Sequence, residues 1–134
     1  RRVRFNDCRV WVYRDPAGRL VGFGTLDVCD DYGEYIGGQA HPYIPLLAVN
    51  PTVKSLGYGT TIVRHLIAEA ALLATGPGEC HGVLFLDVYT SSEKAIALYL
   101  DNGFAPVSPL PVEDPQEAGK TYLVMAKRVD IGPA

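Results

Sequence analysis

The sequence predicts an α/β (α+β) fold, a mixed and mostly antiparallel sheet with a central β-α-β crossover. Three stretches carry that expectation. "RVWVYRDPAGRLVGFGTLDV" holds two β-rich runs joined by a proline- and glycine-bearing turn. From Thr60 the apolar residues recur at three- and four-residue steps, the period of a helix. "GVLFLDVY", Gly82 to Tyr89, is then almost uninterrupted apolar sequence, as a parallel strand covered on both faces requires.

In chain order, Val10 and Val12 open the first strand, and Leu20, Gly22, Gly24 and Leu26 the second. "DDYGEYIGGQAHP", Asp30 to Pro42, is glycine-rich and polar and reads as a loop. "YIPLLAVNP" reads as one buried strand from Tyr43 to Val49, closed by Asn50-Pro51. The first helix turns Ile62, Val63, Leu66, Ile67, Ala70, Leu73 and Ala74 inward, with Arg64, His65 and Glu69 on its other face, and "GPG" at 76–78 ends it. "TSSEKAIALYLDNGF" reads as a short helix, with Thr90 and Glu93 at capping-box spacing and Gly103 past the last turn. A strand near Phe104, a loop with Pro109, Pro111 and Pro115, and a final strand "TYLVMAKRV" complete the order β-β-β-α-β-α-β-β. Residues 1–134 are expected to form a single domain.

Composition narrows the function classes. The hydrophobic fraction of 48% and charged fraction of 20% suit a folded soluble protein with a real core. A net charge of −3 offers no electrostatic case for nucleic acid, although six arginines in the first 19 residues leave a basic patch open. Three unpaired-looking cysteines (Cys8, Cys29, Cys80) read as free thiols of a reducing compartment, so the expected location is cytoplasmic. No apolar run approaches the roughly 20 residues that span a bilayer, so no membrane partner is expected.

Gly57 and Gly59 stand where the first helix begins. A glycine inside a helix costs roughly 1 kcal/mol relative to alanine, so the pair needs a reason. The chain lacks G-x-x-x-x-G-K-[ST], and Ile62 occupies the third glycine position of a dinucleotide fingerprint. What remains is a loop carrying Lys54 that opens onto a helix N-terminus, where unsatisfied N–H groups and the macrodipole favour an anion. A side chain at either glycine would stand between those donors and a bulky pyrophosphate. A plain turn is the simpler reading of the pair alone, and Gly22-Phe23-Gly24 shows the same pattern inside a strand.

Context decides between them. Tyr43 to Phe104 resembles the GCN5-related N-acetyltransferase (GNAT) superfamily, whose pyrophosphate loop [Q/R]-x-x-G-x-[G/A] lies between a strand and a long helix. Here it is Lys54-Ser55-Leu56-Gly57-Tyr58-Gly59, with lysine in place of glutamine or arginine. A second element, L-x-V-x-x-x-N-x-x-A-x-x-L-Y-x-x-x-G-F, is matched by Leu86, Val88, Ala95, Leu98, Tyr99, Gly103 and Phe104, with Ser92 where the family has asparagine. Such domains usually start with a strand and two helices that wall the acceptor side. This sequence reads as beginning at the second strand, which leaves open whether that part is trimmed, shortened or supplied by a partner.

The resemblance implies acetyl transfer from acetyl-CoA, as co-substrate, to an amine by direct attack in a ternary complex, with no metal. It assigns Leu47, Ala48 and Val49 to the pantetheine and thioester. Lys54, Leu56, Gly57, Tyr58, Gly59 and Thr60 go to the pyrophosphate, and Ser92 and Tyr99 to the second wall of the cofactor site. Tyr99 is the candidate acid, since a phenol near pKa 10 can donate to a departing thiolate. Asp87, which interrupts its apolar strand, is the candidate base that takes the proton of an ammonium acceptor, or else a hydrogen-bonded structural carboxylate. Other members use a glutamate where Tyr43 stands; His41 and Glu34 are nearby substitutes, and both read as loop residues. The acceptor is left open between a small-molecule amine, a protein amine and, as in toxin-like members, aminoacyl-tRNA. A non-catalytic acyl-CoA sensor and a homodimer are also left open.

Overall fold

The computed structural model describes residues 8–29, 40–53, 57–75, 82–108 and 110–129. Lys54, Leu56 and Glu34 lie outside the described residues, as do Cys80 and the arginines before Arg9. Strands β1 (Arg9–Arg14) and β2 (Leu20–Cys29) form the expected hairpin, with Trp11 opposite Gly24 and Tyr13 opposite Gly22. Its turn is built by Asp15, whose carboxylate accepts from the Arg19 N–H at 2.8 Å and the Arg19 Nε at 2.7 Å.

The stretch expected as one strand over 43–49 is two. Strand β3 (His41–Ile44) pairs antiparallel with β2 and parallel with β5 (Val83–Tyr89), placing Tyr43 opposite Phe85 and Ile44 opposite Leu86. Strand β4 (Leu47–Val49) pairs with β2 alone. Pro45 lies between them, and a proline cannot donate to a ladder, so pairing with β5 stops there. His41, expected in a loop, belongs to β3 and is fully buried.

After a turn of 3-10 helix at Pro51–Val53, helix α1 runs from Tyr58 to Thr75. The crossover returns through β5 to helix α2 (Glu93–Asp101). Short strands β6 (Ala105–Pro106) and β7 (Val112–Glu113) then pair with β8 (Thr121–Arg128), which lies antiparallel to β5. The sheet order is β1-β2-β3-β5-β8-β6, with β4 attached to β2 and β7 to β8. Strand β7 falls in what reads as a proline-rich loop.

Both helices cover one face of the sheet. Ile62, Val63, Leu66 and Ala70 of α1 and Tyr99 of α2 close over Leu26, Ile44, Leu84, Leu86, Val88 and Met125. A Cβ on Gly24 would come within 3.0 Å of Leu66 and 3.1 Å of Ile62, so the glycines of β2 let α1 lie close against the strand. The opposite face carries a smaller cluster, Tyr43, Phe85 and Val124, flanked by Val112 and Tyr122. Among the described residues no helix is long and apolar enough to cross a membrane.

Candidate active site

The break at Pro45 opens the sheet. Thr25 N–H donates to the Leu46 carbonyl at 3.0 Å, and Asn50 N–H donates to the Val21 carbonyl at 2.6 Å. Antiparallel ladders alternate, so Ala48, two residues from each, also faces β2, while Leu47 and Val49 turn their N–H and C=O away from it. They face the second half of β5, where Asp87, Val88 and Tyr89 pair with β8 but have no ladder to β4. A wedge-shaped gap results, edged on one side by outward-facing peptide groups. Of the three residues expected to hold the thioester arm, only Leu47 and Val49 present their backbone to it. The Thr25 hydroxyl, bonded to the Leu46 N–H at 2.9 Å and its carbonyl at 3.0 Å, pins the divergence point.

Helix α1 starts beside that gap. The Gly57 carbonyl accepts from the Thr61 N–H at 3.2 Å, which leaves the N–H groups of Tyr58, Gly59 and Thr60 without an intrahelical acceptor. Gly57 stands at the N-cap and has no side chain with which to cap them. The two glycines have different tasks. Gly57 has φ +80, and a Cβ there would meet open space, so it is the turn that demands glycine. At Gly59 a Cβ would sit 3.2 Å from Leu98 and 3.7 Å from Val49, so this glycine lets α1 approach α2 and β4. A turn at Gly57 and a close contact at Gly59 thus account for the two glycines structurally, and neither puts a side chain over the first turn of α1.

Helix α2 forms the second wall. Ser92 is its N-cap, and its hydroxyl makes no capping bond. The expected capping box from Thr90 is absent: the Thr90 hydroxyl bonds the Thr121 hydroxyl at 2.8 Å and its carbonyl at 3.3 Å, tying the strand end to β8. Tyr99 is 8% exposed, with its ring 5.7 Å from that of Phe104. Burial pushes its phenol above the ordinary value, so the hydroxyl keeps its proton at neutral pH. That hydroxyl makes no hydrogen bond to another described residue.

Asp87 lies on the other face. Leu84, Leu86 and Val88 point toward the helices, and Phe85 toward the smaller cluster, so alternation sends Asp87 with Phe85. The two candidate catalytic residues therefore approach the gap from opposite faces. Asp87 also lines a cleft of about 430 Å³ that starts at Pro45 and Leu46 and continues past Tyr89 and Tyr122 to Asp114. Tyr43 is fully buried, and His41 packs its ring 4.8 Å from that of Phe85, so both belong to the interior of that face. Sequence reasoning missed Tyr89, Asp114 and Tyr122. Only the pairing of β7 with β8 brings Asp114 to this cleft, and no local pattern announces it.

A family model described as the Acetyltransferase (GNAT) family matches residues 2–104. No match is found among curated proteins. Solved structures resemble the fold. Naa20 from Chaetomium thermophilum, in complex with a bisubstrate analogue, superposes with TM-score 0.68 at 22% identity, covering 89% of this chain and 66% of that one. The ribosomal-protein-S18-alanine N-acetyltransferase from Escherichia coli gives TM-score 0.71 at 19% identity, covering 97% and 74%. Spermidine/spermine N-acetyltransferase SpeG from Vibrio cholerae gives TM-score 0.69 at 16% identity, covering 93% and 67%. The chain thus spans 66–74% of the length of these three structures.

Proposed function

The chain belongs to the acetyltransferase (GNAT) family, and from that premise we propose that it moves the acetyl group of acetyl-CoA onto an amine by direct attack in a ternary complex. The observation that carries the reading is the gap beside β4, where the peptide groups of Leu47 and Val49 turn toward a space that no described strand fills, next to the first turn of α1. An extended pantetheine arm would add to β4 as a further strand does. The pyrophosphate would take the N–H groups of Tyr58, Gly59 and Thr60, with Lys54 and Leu56 contributed by the preceding sequence.

In this reading a main-chain N–H of β4 polarises the thioester carbonyl. A preorganised donor aimed at a developing oxyanion is worth about 3–4 kcal/mol of barrier. Asp87 receives the ammonium proton on the acceptor face, and the neutral nitrogen attacks the carbonyl carbon. The C–N bond forms, the C–S bond breaks, and Tyr99 gives its phenolic proton to the departing sulfur from the helix face. The proton that the acylated nitrogen then sheds restores the phenol through solvent, and Asp87 releases its own to water. Ser92 stands at the start of the same helix wall, its hydroxyl not spent on capping.

Calorimetry with acetyl-CoA, followed by thiol release in the presence of an amine panel, tests the proposal. Heat on binding and amine-dependent release are expected. Absence of heat removes the enzymatic reading, while heat without release for any amine leaves an acyl-CoA-binding module, the alternative that Ser92 in place of the family's asparagine favours.

A further inference from the structure

We propose that the cleft beyond Asp87 selects an amine acceptor that carries a second positive charge, with Asp114 holding that distal charge. The inference rests on acetyl transfer to an amine as proposed above, and it names the acceptor class. The cleft begins at Pro45 and Leu46, where β3 and β4 part, and extends past Asp87 and Tyr89 to Asp114, so an acceptor that presents its amine to a thioester in the gap near Asp87 leaves its other end toward Asp114. Its lining includes two carboxylates, Asp87 and Asp114, and no lysine, arginine or histidine among the described residues. Tyr89 and Tyr122, paired across β5 and β8, add aromatic rings of the kind cations favour, and Lys120 already occupies one face of Tyr89, its Nζ 5.2 Å from the ring centroid.

Asp114 is preset for this task. Its Oδ2 accepts from the Tyr89 hydroxyl at 2.8 Å and its Oδ1 from the Gln116 N–H at 2.9 Å. Both donors are neutral, so they fix the carboxylate without cancelling its charge, and a carboxylate has about four acceptor sites in all. They also hold its pKa below the ordinary range, which keeps it anionic at neutral pH. Lys120, which lies over the Tyr89 ring, pairs with Glu117 at 3.0 Å rather than with Asp114. Asp87 and Tyr89 lie two residues apart on one strand face, roughly 7 Å, and Asp114 lies at the Tyr89 hydroxyl. The two positive centres of the acceptor are therefore separated by a short spacer.

The test compares thiol release from acetyl-CoA with matched amines that differ only at the far end: a linear alkyl monoamine, the diamine and the amino acid of equal length. With the native protein the diamine is expected to give the largest kcat/KM. A charge-assisted contact predicts an advantage of about ten- to hundredfold over the monoamine. Asp114→Asn is expected to bring that ratio toward one, and Asp114→Lys to turn the preference toward the amino acid. Tyr89→Phe, which removes a donor from Asp114 and keeps the ring, is expected to reduce the ratio if the Asp114 variants do not fold. Equal kcat/KM for all three acceptors, or a ratio unmoved by these substitutions, overturns this inference and leaves acetyl transfer standing. No release with any amine overturns both.

Discussion

Tyr99 brings together the most chemistry of any single residue. Burial raises its phenol, and its hydroxyl makes no hydrogen bond to another described residue, so a departing thiolate would meet a protonated donor. General acids contribute roughly 10²–10⁴ in rate, so Tyr99→Phe is expected to lower kcat by at least about a hundredfold. The KM for acetyl-CoA should change little, because the ring and its contact with Phe104 remain. The sign of the pH dependence follows from the same shift. The acid form is lost only as pH rises through a value above the ordinary phenol range near 10. The native kcat profile should therefore show its Tyr99-dependent fall on the far alkaline side, and the variant should lack that limb. A fall nearer neutrality would assign the limb to another group.

At the scale of elements, what could be read from the sequence and what could not separate cleanly. The hairpin, α1, β5 and α2 were legible because each is set by a local period or turn residue: apolar steps of three and four in α1, the turn before Arg19 in the hairpin. The split of β3 from β4 was not, because an apolar run reads the same whether its edges are paired or open. Pro45 was the available signal. The capping-box spacing of Thr90 and Glu93 also misled, because a tertiary partner, Thr121, takes the Thr90 hydroxyl. The hairpin turn offers a direct test. Two donors from Arg19 hold the Asp15 carboxyl below its ordinary range. A depressed pKa stabilises the fold above the unfolded value near 3.9, and that stabilisation is lost as pH falls through the folded value. Asp15→Asn should therefore lower the thermal midpoint at pH 7 and converge with the native protein in acid, as a pair of melting series would register.

For the whole molecule, the proposed site is an assembly of three elements that the core holds at fixed spacing. In that proposal β4 would supply peptide groups, α1 the N–H groups of its first turn and α2 a wall, and Gly59 lies where Leu98 and Val49 converge. Leu66, fully buried between α1 and the sheet, sets that spacing; Leu66→Ala is expected to cost about 2–5 kcal/mol, visible as a lower urea midpoint. A ligand bridging all three elements must in turn stabilise the fold. At about a hundredfold excess over Kd, acetyl-CoA would add roughly 2.7 kcal/mol. Hydrogen exchange can then separate a ligand that adds to β4 as a strand from one that merely rests on the surface. Ala48 faces β2 and should be protected with or without ligand, whereas the Leu47 and Val49 amides turn to the gap and those of Tyr58, Gly59 and Thr60 to the helix end. On adding acetyl-CoA the expected pattern is a slowing at the latter five beyond the roughly hundredfold that the gain in global stability gives to amides exchanging by unfolding. Uniform slowing across 47–49 would mean that general stabilisation, rather than strand addition, protects β4, and the backbone contacts assigned to Leu47 and Val49 would have to be withdrawn.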